Sequence, residues 1–194
     1  MTEPQPHRTE GASQLPRSAA DMVRVSKMLS LTLRHDPGQV GVQLDGGGWV
    51  DIDVLLEAFA RHGMAVSREE LDDIVEQSDK QRFAIANHRI RANQGHSIDV
   101  DLGLEPALPP ELLFHGTAES SVESILATGI NPGQRRQVHL SLDAETARKV
   151  GARHGRPVVL TVRAEAMAEA GLEFFRSANG VWLVDEVPAK FVRR

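Results

Sequence analysis

The chain begins with an aperiodic polar segment and then takes up the spacing of a helix. Residues 1–17 mix Pro, Ser, Thr and charged residues without a period and are predicted to form a disordered tail. Order is predicted to begin at Ser18, because Ser is a favoured N-cap residue. Pro37 disfavours helical backbone at Asp36, so the helix is predicted to end there. Four apolar residues share one face of this helix, namely Met22, Val25, Leu29 and Leu33.

Turn residues and short apolar runs alternate through the rest of the first half. Residues 42–50, VQLDGGGWV, are predicted to form two short strands around a glycine turn. The next helix is predicted to start with Asp51 or Asp53 as its cap. It is predicted to run to about His62, where Gly63 supplies a left-handed end.

A further helix and a second hairpin complete this half. Ser67 and Glu70 have the spacing of a capping box, which predicts a helix in SREELDDIVEQ. Residues 82–92, RFAIANHRIRA, are predicted to form two strands around the central Asn-His pair. The order helix, hairpin, helix, helix, hairpin resembles a winged-helix module, which we predict for residues 18–103.

In the second half, the spacing of apolar residues changes after a proline-rich stretch. Residues 100–111 hold three of the ten prolines and are predicted to be a linker. Five short apolar runs beyond it are predicted to be strands: LLFHGT, VHLSL, PVVLTV, LEFF and VWLV. Helices are predicted between them, at about 119–127, 144–153 and 164–170. Residues 104–194 are therefore expected to form a second lobe, and the chain as a whole is predicted to be α+β.

Composition narrows the class of protein. The chain has 194 residues and no cysteine, which excludes a disulfide scaffold, a thiol nucleophile and a thiolate metal site. No run of about 18 apolar residues exists, so no membrane span is expected. The N-terminus has no apolar core of the kind that a secretory signal needs. A cytoplasmic protein is the expectation.

The charge distribution bears on nucleic-acid binding. The net charge of -5 and the aromatic content of 4% argue against broad nucleic-acid contact, because Lys, Arg and stacking aromatic residues supply that affinity. The excess of acid is local, however, because residues 1–104 carry 11 Lys and Arg against 16 Asp and Glu, whereas residues 105–194 carry 11 of each. Within the acidic half, residues 80–98 contain no acid at all. This basic hairpin is interpreted either as an anion site or as a solvated edge strand.

Arginines and histidines are the distinctive candidates for chemistry. Arg34 and His35 end the first predicted helix, where they either complement the helix dipole or bind an anion. His115 and His139 lie in predicted apolar strands, where a buried ring needs a partner or a ligand. A nucleophile elbow, a phosphate-binding loop and a dinucleotide fingerprint are all missing from the sequence. No metal is expected, since no acidic ligand has zinc-like spacing to the two histidines.

Eight motifs in order resemble one family, the NAD-dependent RNA 2′-phosphotransferases, also called tRNA 2′-phosphotransferases. The resemblance covers about residues 22–192, and the motifs read SKMLSLTLRHDP, LDGGGWV, DKQRFAI, IRANQGHSIDV, LFHGT, RRQVHLS, VGARHGRPVVL and NGVWL followed by VP. The resemblance implies an RNA-binding winged-helix lobe and an NAD-binding lobe of the ADP-ribosyltransferase fold. It also implies a monomer that uses NAD as a consumed co-substrate.

The family reaction removes an internal 2′-phosphate from RNA, such as that at a tRNA splice junction, in two steps. The phosphate first attacks the nicotinamide ribose of NAD and expels nicotinamide, which gives ADP-ribosylated RNA. The ribose 2″-OH then attacks phosphorus and releases 2′-OH RNA and ADP-ribose 1″,2″-cyclic phosphate. Two alternatives stay open: an ADP-ribosyltransferase that caps nucleic-acid phosphate ends, and a non-enzymatic winged-helix regulator.

The resemblance also implies roles for individual residues. A catalytic set of arginines and a histidine falls on Arg34, His35, Arg82 and Arg135, with Arg136 as the alternative to Arg135. The NAD-holding positions fall on His115, Gly116, Thr117, His139, Ser141 and Val181. RNA contacts are expected at Lys80, Arg89, Arg91 and Arg136. Residues 94–97 are expected to support the lobe interface, to touch RNA, or to form a satisfied turn.

Overall fold

The first helix, α1 (Ala19–Arg34), begins where the sequence predicts. In this computed structural model, which describes residues 18–78 and 80–194, the Ser18 hydroxyl accepts a hydrogen bond from the backbone N–H of Asp21 at 3.2 Å. This contact satisfies one of the free N–H groups of the first turn. A short 3₁₀ turn, Pro37–Val40, follows α1. The predicted tail, residues 1–17, lies outside the described residues.

The N-terminal lobe contains three helices and a small antiparallel sheet. Its remaining elements are β1 (Val50–Asp51), α2 (Ile52–Arg61), α3 (Arg68–Glu76), β2 (Phe83–Ala86) and β3 (Arg89–Ala92). The strands are ordered β1-β3-β2, with Ile90 paired to Val50 on one side and to Ile85 on the other. Both members of the predicted capping box bind each other's backbone at the start of α3.

The prediction of two strands in VQLDGGGWV is wrong in its first half. Only Val50 of that segment enters a strand. The Asp45 carboxylate instead accepts the backbone N–H groups of Gly47, at 3.0 Å, and Trp49, at 2.8 Å. This side chain supplies the bonds that a strand partner would otherwise provide. The second predicted turn is confirmed, since Asn87 and His88 both have positive φ, at 48° and 61°.

The C-terminal lobe contains two three-stranded antiparallel sheets. Its strands are β4 (Leu112–Ala118), β5 (Val138–Leu140), β6 (Pro157–Arg163), β7 (Phe175–Arg176), β8 (Trp182–Val184) and β9 (Val192–Arg193). Its helices are α4 (Glu119–Thr128), α5 (Ala144–Gly151) and α6 (Ala164–Glu169), with a 3₁₀ turn at Ala189–Phe191. The strand orders are β4-β6-β9 and β5-β8-β7. Phe114 and Ser141 join the sheets through two backbone hydrogen bonds of 2.9 and 2.8 Å.

Each lobe has its own hydrophobic core. In the first lobe, Leu29, Leu33, Leu55, Phe59 and Ile90 are among the fully buried side chains. The second core forms around a different set, which includes Leu113, Leu140, Leu160, Met167 and Phe174. The α+β class is confirmed by this mixture of helices and antiparallel sheets.

Several boundaries in the second lobe differ from the sequence-based expectation. The run LEFF is predicted to be a strand, but strand backbone begins only at Phe175. Phe174 instead buries its ring, at 1% exposure, and its carbonyl accepts the N–H of Ala107 at 2.7 Å. The predicted linker therefore lies along this edge of the sheet. The sequence pattern does not reveal β9, which pairs with β6 near the C-terminus.

A few hydrogen bonds cross between the lobes. The Asn179 side-chain amide donates to the carbonyl of Lys80 at 2.8 Å. The backbone N–H of Arg136 donates to the carbonyl of His96 at 3.2 Å. The Arg136 guanidinium forms an ion pair with Asp99 and also donates to the carbonyl of Val100 at 3.2 Å. The contacts of Arg136 hold the loop before β5 against the segment that follows the first-lobe sheet.

Across the described ranges, no helix is long and apolar enough to cross a membrane.

Candidate functional site

Arg34 is held at the C-terminal end of α1 and is largely buried, at 9% exposure. Its Nη2 donates to the carbonyl of Arg82 at 3.4 Å, and its Cζ lies 5.8 Å from the centre of the Phe83 ring. The buried Nε has no hydrogen-bond partner. Gly95 approaches the guanidinium closely, since a Cβ at this position would lie 3.8 Å from Cζ. Arg34 is therefore a buried arginine whose Nε–H group has no hydrogen-bond partner.

Three arginines distant in sequence bring their charges together. Burial is the largest cause of a lowered Arg34 pKa, and repulsion from Arg135 and then Arg82 takes it to about 10. Within the described parts of the chain, none of these three arginines forms an ion pair with a carboxylate. Uncompensated like charges cost free energy in the free protein, and a bound anion relieves that cost.

The two adjacent arginines of the loop before β5 lie in different environments. Arg135 is exposed, yet enough protein surrounds its guanidinium that burial lowers its pKa, and the charge of Arg153 lowers it further. Arg136 points to the other lobe, where Asp99 and the carbonyl of Val100 bind it. Arg135 is therefore the member of the pair that joins the charge cluster of Arg34.

His35 caps the C-terminus of α1 and presents its ring to solvent. Its Nδ1 lies 3.0 Å from the hydroxyl of Ser97. Partial burial is the first cause of its lowered pKa, followed by repulsion from Arg34 and Arg135. The ring is accordingly neutral near neutral pH and belongs to the same cationic region.

Two histidines of the second lobe lie side by side on β4 and β5. The Nδ1 of His115 is 3.4 Å from the carbonyl of His139, and the Nδ1 of His139 is 3.0 Å from the carbonyl of Gln137. Burial, followed by the charge of Arg135, lowers the pKa of His139 to about 3. Its Nε2 is buried and has no partner. A neutral ring with an unsatisfied nitrogen is available to a ligand.

The other predicted NAD-holding residues have clear structural roles. Thr117 is buried on β4, and Ser141 exchanges backbone bonds with Phe114. Gly116 packs against α5, because a Cβ there would lie 1.6 Å from the carbonyl oxygen of Ala147. Val181 lies in the turn between β7 and β8, with its N–H bonded to the hydroxyl of Ser177 at 3.1 Å.

A cleft of about 540 Å³ opens at the junction of the lobes. It is bounded on one side by Gly95, His96, residues 99–102 and Leu104, and on the other by Arg136, Gln137, His139, Phe175, Leu183 and Asp185. Of the predicted site residues it touches only Arg136 and His139, so the arginine cluster lies outside it. A groove of about 240 Å³ between α1 and α3 includes Lys80 and Arg82. Two of the predicted residues therefore border the cleft and two border the groove, and the others line neither.

The arginines predicted to contact RNA from the basic hairpin have partners inside the first lobe. Arg89 forms an ion pair with Asp45 at 2.6 Å. Arg91 lies over the Trp49 ring, 4.5 Å from its centre, and donates to the carbonyls of Gly47 and Leu102. These contacts give both side chains a structural role within the first lobe. The expected RNA contacts of Lys80, Arg89, Arg91 and Arg136 stay predictions.

One group of possible metal ligands lies elsewhere, on the far end of the first-lobe sheet. Asp51, Asp53 and His88 place their ligand atoms within 4.8 Å of one another. Each already has a protein partner, since Asp51 caps α2 and His88 contacts both Asp53 and Arg68 at 3.1 Å. The positive charge of Arg68 beside this group disfavours a cation.

Sequence reasoning placed His96 and Ser97 only in residues 94–97, with three open expectations, and it missed Arg153. His96 is 5% exposed, and burial followed by the charges of Arg34, His35, Arg91 and Arg136 lowers its pKa to about 4. Ser97 contacts His35, and Arg153 lies near Arg135. Two motifs quoted above, IRANQGHSIDV and VGARHGRPVVL, contain these residues, but nothing in the pattern assigns them a contact.

Known proteins with similar sequences carry one description. The family model described as "RNA 2'-phosphotransferase, Tpt1 / KptA family" matches residues 20–186. A "Probable RNA 2'-phosphotransferase" of Hahella chejuensis is 54% identical over 169 residues, covering 86% of this chain and 91% of that protein. A protein of the same description from Nostoc punctiforme is 50% identical over 179 residues, covering 91% and 99%. Another from Streptomyces coelicolor is 54% identical over 171 residues, covering 88% and 94%.

Because the match extends over both lobes and nearly the full length of these relatives, the chain belongs to the RNA 2′-phosphotransferase family.

Proposed function

We propose that this protein removes an internal 2′-phosphate from RNA by transferring it to NAD. The observation that carries the proposal is the convergence of Arg34, Arg82 and Arg135, from both lobes, on one region without carboxylate partners in the described chain. Family membership supports the choice of RNA 2′-phosphate as the anion. The proposal includes a winged-helix RNA lobe at 18–103 and an ADP-ribosyltransferase-like NAD lobe at 104–194.

An arginine cluster suits a reaction between two anions. A phosphate dianion must approach the pyrophosphate-bearing co-substrate, and fixed guanidinium groups offset the repulsion between them. The same groups stabilise charge that builds on the phosphoryl oxygens in the second step. No general base is needed to create the first nucleophile, because the phosphate is already ionised. The scarcity of carboxylates around Arg34 fits this chemistry.

The NAD side of the proposal is supported by the two histidines. The unpartnered Nε2 of His139 and the adjacent ring of His115 provide neutral hydrogen-bonding groups on β5 and β4. Their lowered pKa values keep both rings uncharged near neutral pH. Thr117 on β4, Ser141 directly after β5 and Val181 beside β8 complete the proposed pocket. An apolar Val181 adds no negative charge beside an incoming phosphate.

The proposed chemistry has two balanced steps. An oxygen of the RNA 2′-phosphate forms a bond to the anomeric carbon of the nicotinamide ribose, and the bond to neutral nicotinamide breaks. The ribose 2″-OH then loses its proton and bonds to phosphorus, while the bond from phosphorus to the RNA 2′-oxygen breaks. That oxygen takes up a proton, which yields 2′-OH RNA and ADP-ribose 1″,2″-cyclic phosphate. Arg34, Arg82 and Arg135 orient and neutralise the phosphoryl oxygens in both steps, and His35 helps to orient them.

A direct assay tests the function. The full chain is incubated with NAD and a short RNA that carries one internal 2′-phosphate, and a matched RNA without this phosphate is the control. We expect loss of the 2′-phosphate, release of nicotinamide and formation of the cyclic phosphate product. ADP-ribosylated RNA as the final product would instead indicate a capping ADP-ribosyltransferase. Absence of nicotinamide release would contradict an NAD-dependent enzyme and favour a non-enzymatic regulator.

The neighbouring arginines give a matched pair of variants. Arg135→Ala is expected to slow the second step more than the first, because charge on phosphorus is greatest there, so ADP-ribosylated RNA accumulates on a denaturing gel. Arg136→Ala removes contacts to Asp99 and Val100 and is expected to slow both steps without accumulation. If the two variants behave in the opposite way, the catalytic role belongs to Arg136.

A further inference from the structure

We propose that Ser97 is a positioning residue for His35, and that its hydroxyl holds the imidazole with the proton on Nε2. The proposal rests on the function above for its catalytic consequence, but its structural content stands on the contacts of Ser97. The sequence gives residues 94–97 only the open expectation of an interface, an RNA contact or a turn, and it names no contact between Ser97 and His35.

Ser97 meets the end of α1 through two separate groups. Its backbone N–H donates to the carbonyl of Arg34 at 2.9 Å. Its hydroxyl oxygen lies 3.0 Å from Nδ1 of His35 and 3.5 Å from the same Arg34 carbonyl. The main-chain bond fixes the position of the serine, and the side chain is left to contact the ring. Ser97 thereby contacts the Arg34-His35 pair, although it lies 62 positions from His35 in the chain.

The distances determine where the hydroxyl proton goes. An O–H group forms good hydrogen bonds to acceptors at about 2.5–3.0 Å, so the Arg34 carbonyl at 3.5 Å is a poor acceptor for it. That carbonyl already accepts the N–H of Ser97. The ring nitrogen at 3.0 Å is the better acceptor, so the hydroxyl donates to Nδ1. In a neutral ring whose Nδ1 accepts, Nε2 carries the proton.

The charge state of His35 makes this choice of tautomer matter. Partial burial, Arg34 and Arg135 all lower its pKa, so the ring of the free protein is neutral near neutral pH and has one N–H. The oxygens of a phosphate dianion only accept hydrogen bonds. A ring fixed with its proton on Nε2 therefore adds a donor to the cluster without adding another positive charge to it.

Nuclear magnetic resonance tests the contact without any substrate. The imidazole ¹⁵N signals of His35, identified by their loss in His35→Gln, are compared in the wild type, Ser97→Ala and Ser97→Thr at mildly alkaline pH. We expect a protonated Nε2 and a hydrogen-bonded acceptor Nδ1 in the wild type and in Ser97→Thr. Ser97→Ala keeps the backbone bond to Arg34 and is expected to lose the hydrogen-bond shift at Nδ1. A protonated Nδ1 in the wild type would overturn the assignment.

Steady-state kinetics test the consequence. Loss of one hydrogen bond predicts about a tenfold decrease in kcat/KM for 2′-phosphorylated RNA in Ser97→Ala, with the KM for NAD within about twofold of wild type. Ser97→Thr keeps a hydroxyl and is expected to recover most of the activity. Ser120→Ala, on α4, is the matched control and should leave kcat/KM unchanged. Equal activity of wild type and Ser97→Ala would overturn the positioning role.

Failure of this inference and failure of the proposed function give different results. If wild-type protein does not act on the RNA but the Nδ1 signal still depends on the Ser97 hydroxyl, only the proposed reaction fails. If the RNA is dephosphorylated and the Nδ1 signal is the same in Ser97→Ala, only the Ser97 inference fails.

Discussion

Individual residues of the cationic region are arranged at a cost to the free protein. Arg34 is buried, its Nε has no partner, and Arg135 and Arg82 repel it. Such an arrangement lowers stability unless an anion is present, and unfavourable charge clusters of this kind are typical of functional sites. The resemblance leaves Arg135 and Arg136 as alternatives, because the two arginines are adjacent in the sequence. Their separate environments arise only when the lobes meet.

The first prediction concerns the repulsion between Arg135 and Arg34. Arg135→Gln removes one like charge, so the unfolding midpoint of the anion-free protein is expected to stay equal or to rise. Inorganic phosphate at about ten times its Kd should stabilise the wild type by about 1.4 kcal/mol, a rise of about 3–6 °C in Tm. This rise should shrink strongly in Arg135→Gln. Differential scanning fluorimetry measures both quantities.

Arg148→Gln, on the exposed side of α5, is the control for that experiment and should retain the phosphate response. An equal rise in Tm for wild type and Arg135→Gln would show that phosphate binds outside the cluster.

At the scale of elements, local signals explain the caps and turns, and packing explains the errors. The Ser67–Glu70 capping box and the Asn87-His88 turn depend on residues within a few positions of each other, and both are confirmed. Strand β9 depends on pairing with β6, about 30 residues earlier in the chain, and no local pattern predicts it. The long-range contact of Phe174 with Ala107 likewise replaces predicted strand backbone, whereas the bonds from Asp45 to Gly47 and Trp49 that do so are local.

Helix α5 and strand β4 pack backbone to backbone in the second lobe. A Cβ on Gly116 would overlap the carbonyl oxygen of Ala147, and one on Gly151 would lie 2.8 Å from the carbonyl oxygen of Thr117. Both contacts involve backbone atoms, which cannot move aside as a flexible side chain can. The HGT motif is therefore needed for packing at its glycine, whatever its flanking residues bind.

The second prediction follows from this close approach. Gly116→Ala must move α5 away from β4, and overpacking of this kind costs about 1–3 kcal/mol or more. We expect a decrease of about 5–10 °C in Tm. Gly46→Ala is the control, because no atom lies within 4 Å of the added Cβ. A Tm for Gly116→Ala as high as that of Gly46→Ala would contradict the backbone contact.

At the scale of the whole molecule, neutral histidines lie where the lobes meet. Burial is the main cause that lowers the pKa of His96 to about 4 and that of His139 to about 3, against an ordinary value of 6.5. His96 also accepts the crossing hydrogen bond from Arg136 through its carbonyl. In the folded protein both rings stay neutral until the pH falls to their lowered pKa values, whereas in the unfolded chain the same rings bind protons below about pH 6.5.

The third prediction is a loss of stability in mild acid. Between pH 6.5 and about 4 the unfolded state binds more protons than the folded state, so the free energy of unfolding falls as pH falls. Each fully shifted histidine contributes up to about 1.4 kcal/mol per pH unit. The lowered pKa values of Asp45 and Asp143 act below their ordinary value of 3.8, outside the range between pH 6.5 and 4 in which the slope is measured.

Urea unfolding at several pH values measures this slope. His96→Asn is expected to flatten it between pH 6.5 and 4, and the matched His62→Gln, at the exposed end of α2, should leave it unchanged. An identical slope in wild type and His96→Asn would contradict a protonation-linked role for His96.

The sequence by itself determined the helix faces, the caps, the α+β class and the family, because these depend on short-range spacing and on ordered motifs. The tertiary structure alone decided which arginines share a region, which glycine is needed for packing, and that Ser97 reaches His35. Arg34 ends α1, whereas residues 82, 97 and 135 lie in three separate loops, and no local interaction relates them. The fold of the first lobe brings Arg34, Arg82 and Ser97 together, and Arg135 joins them where the lobes meet, because charge repulsion and hydrogen bonds act only over short distances.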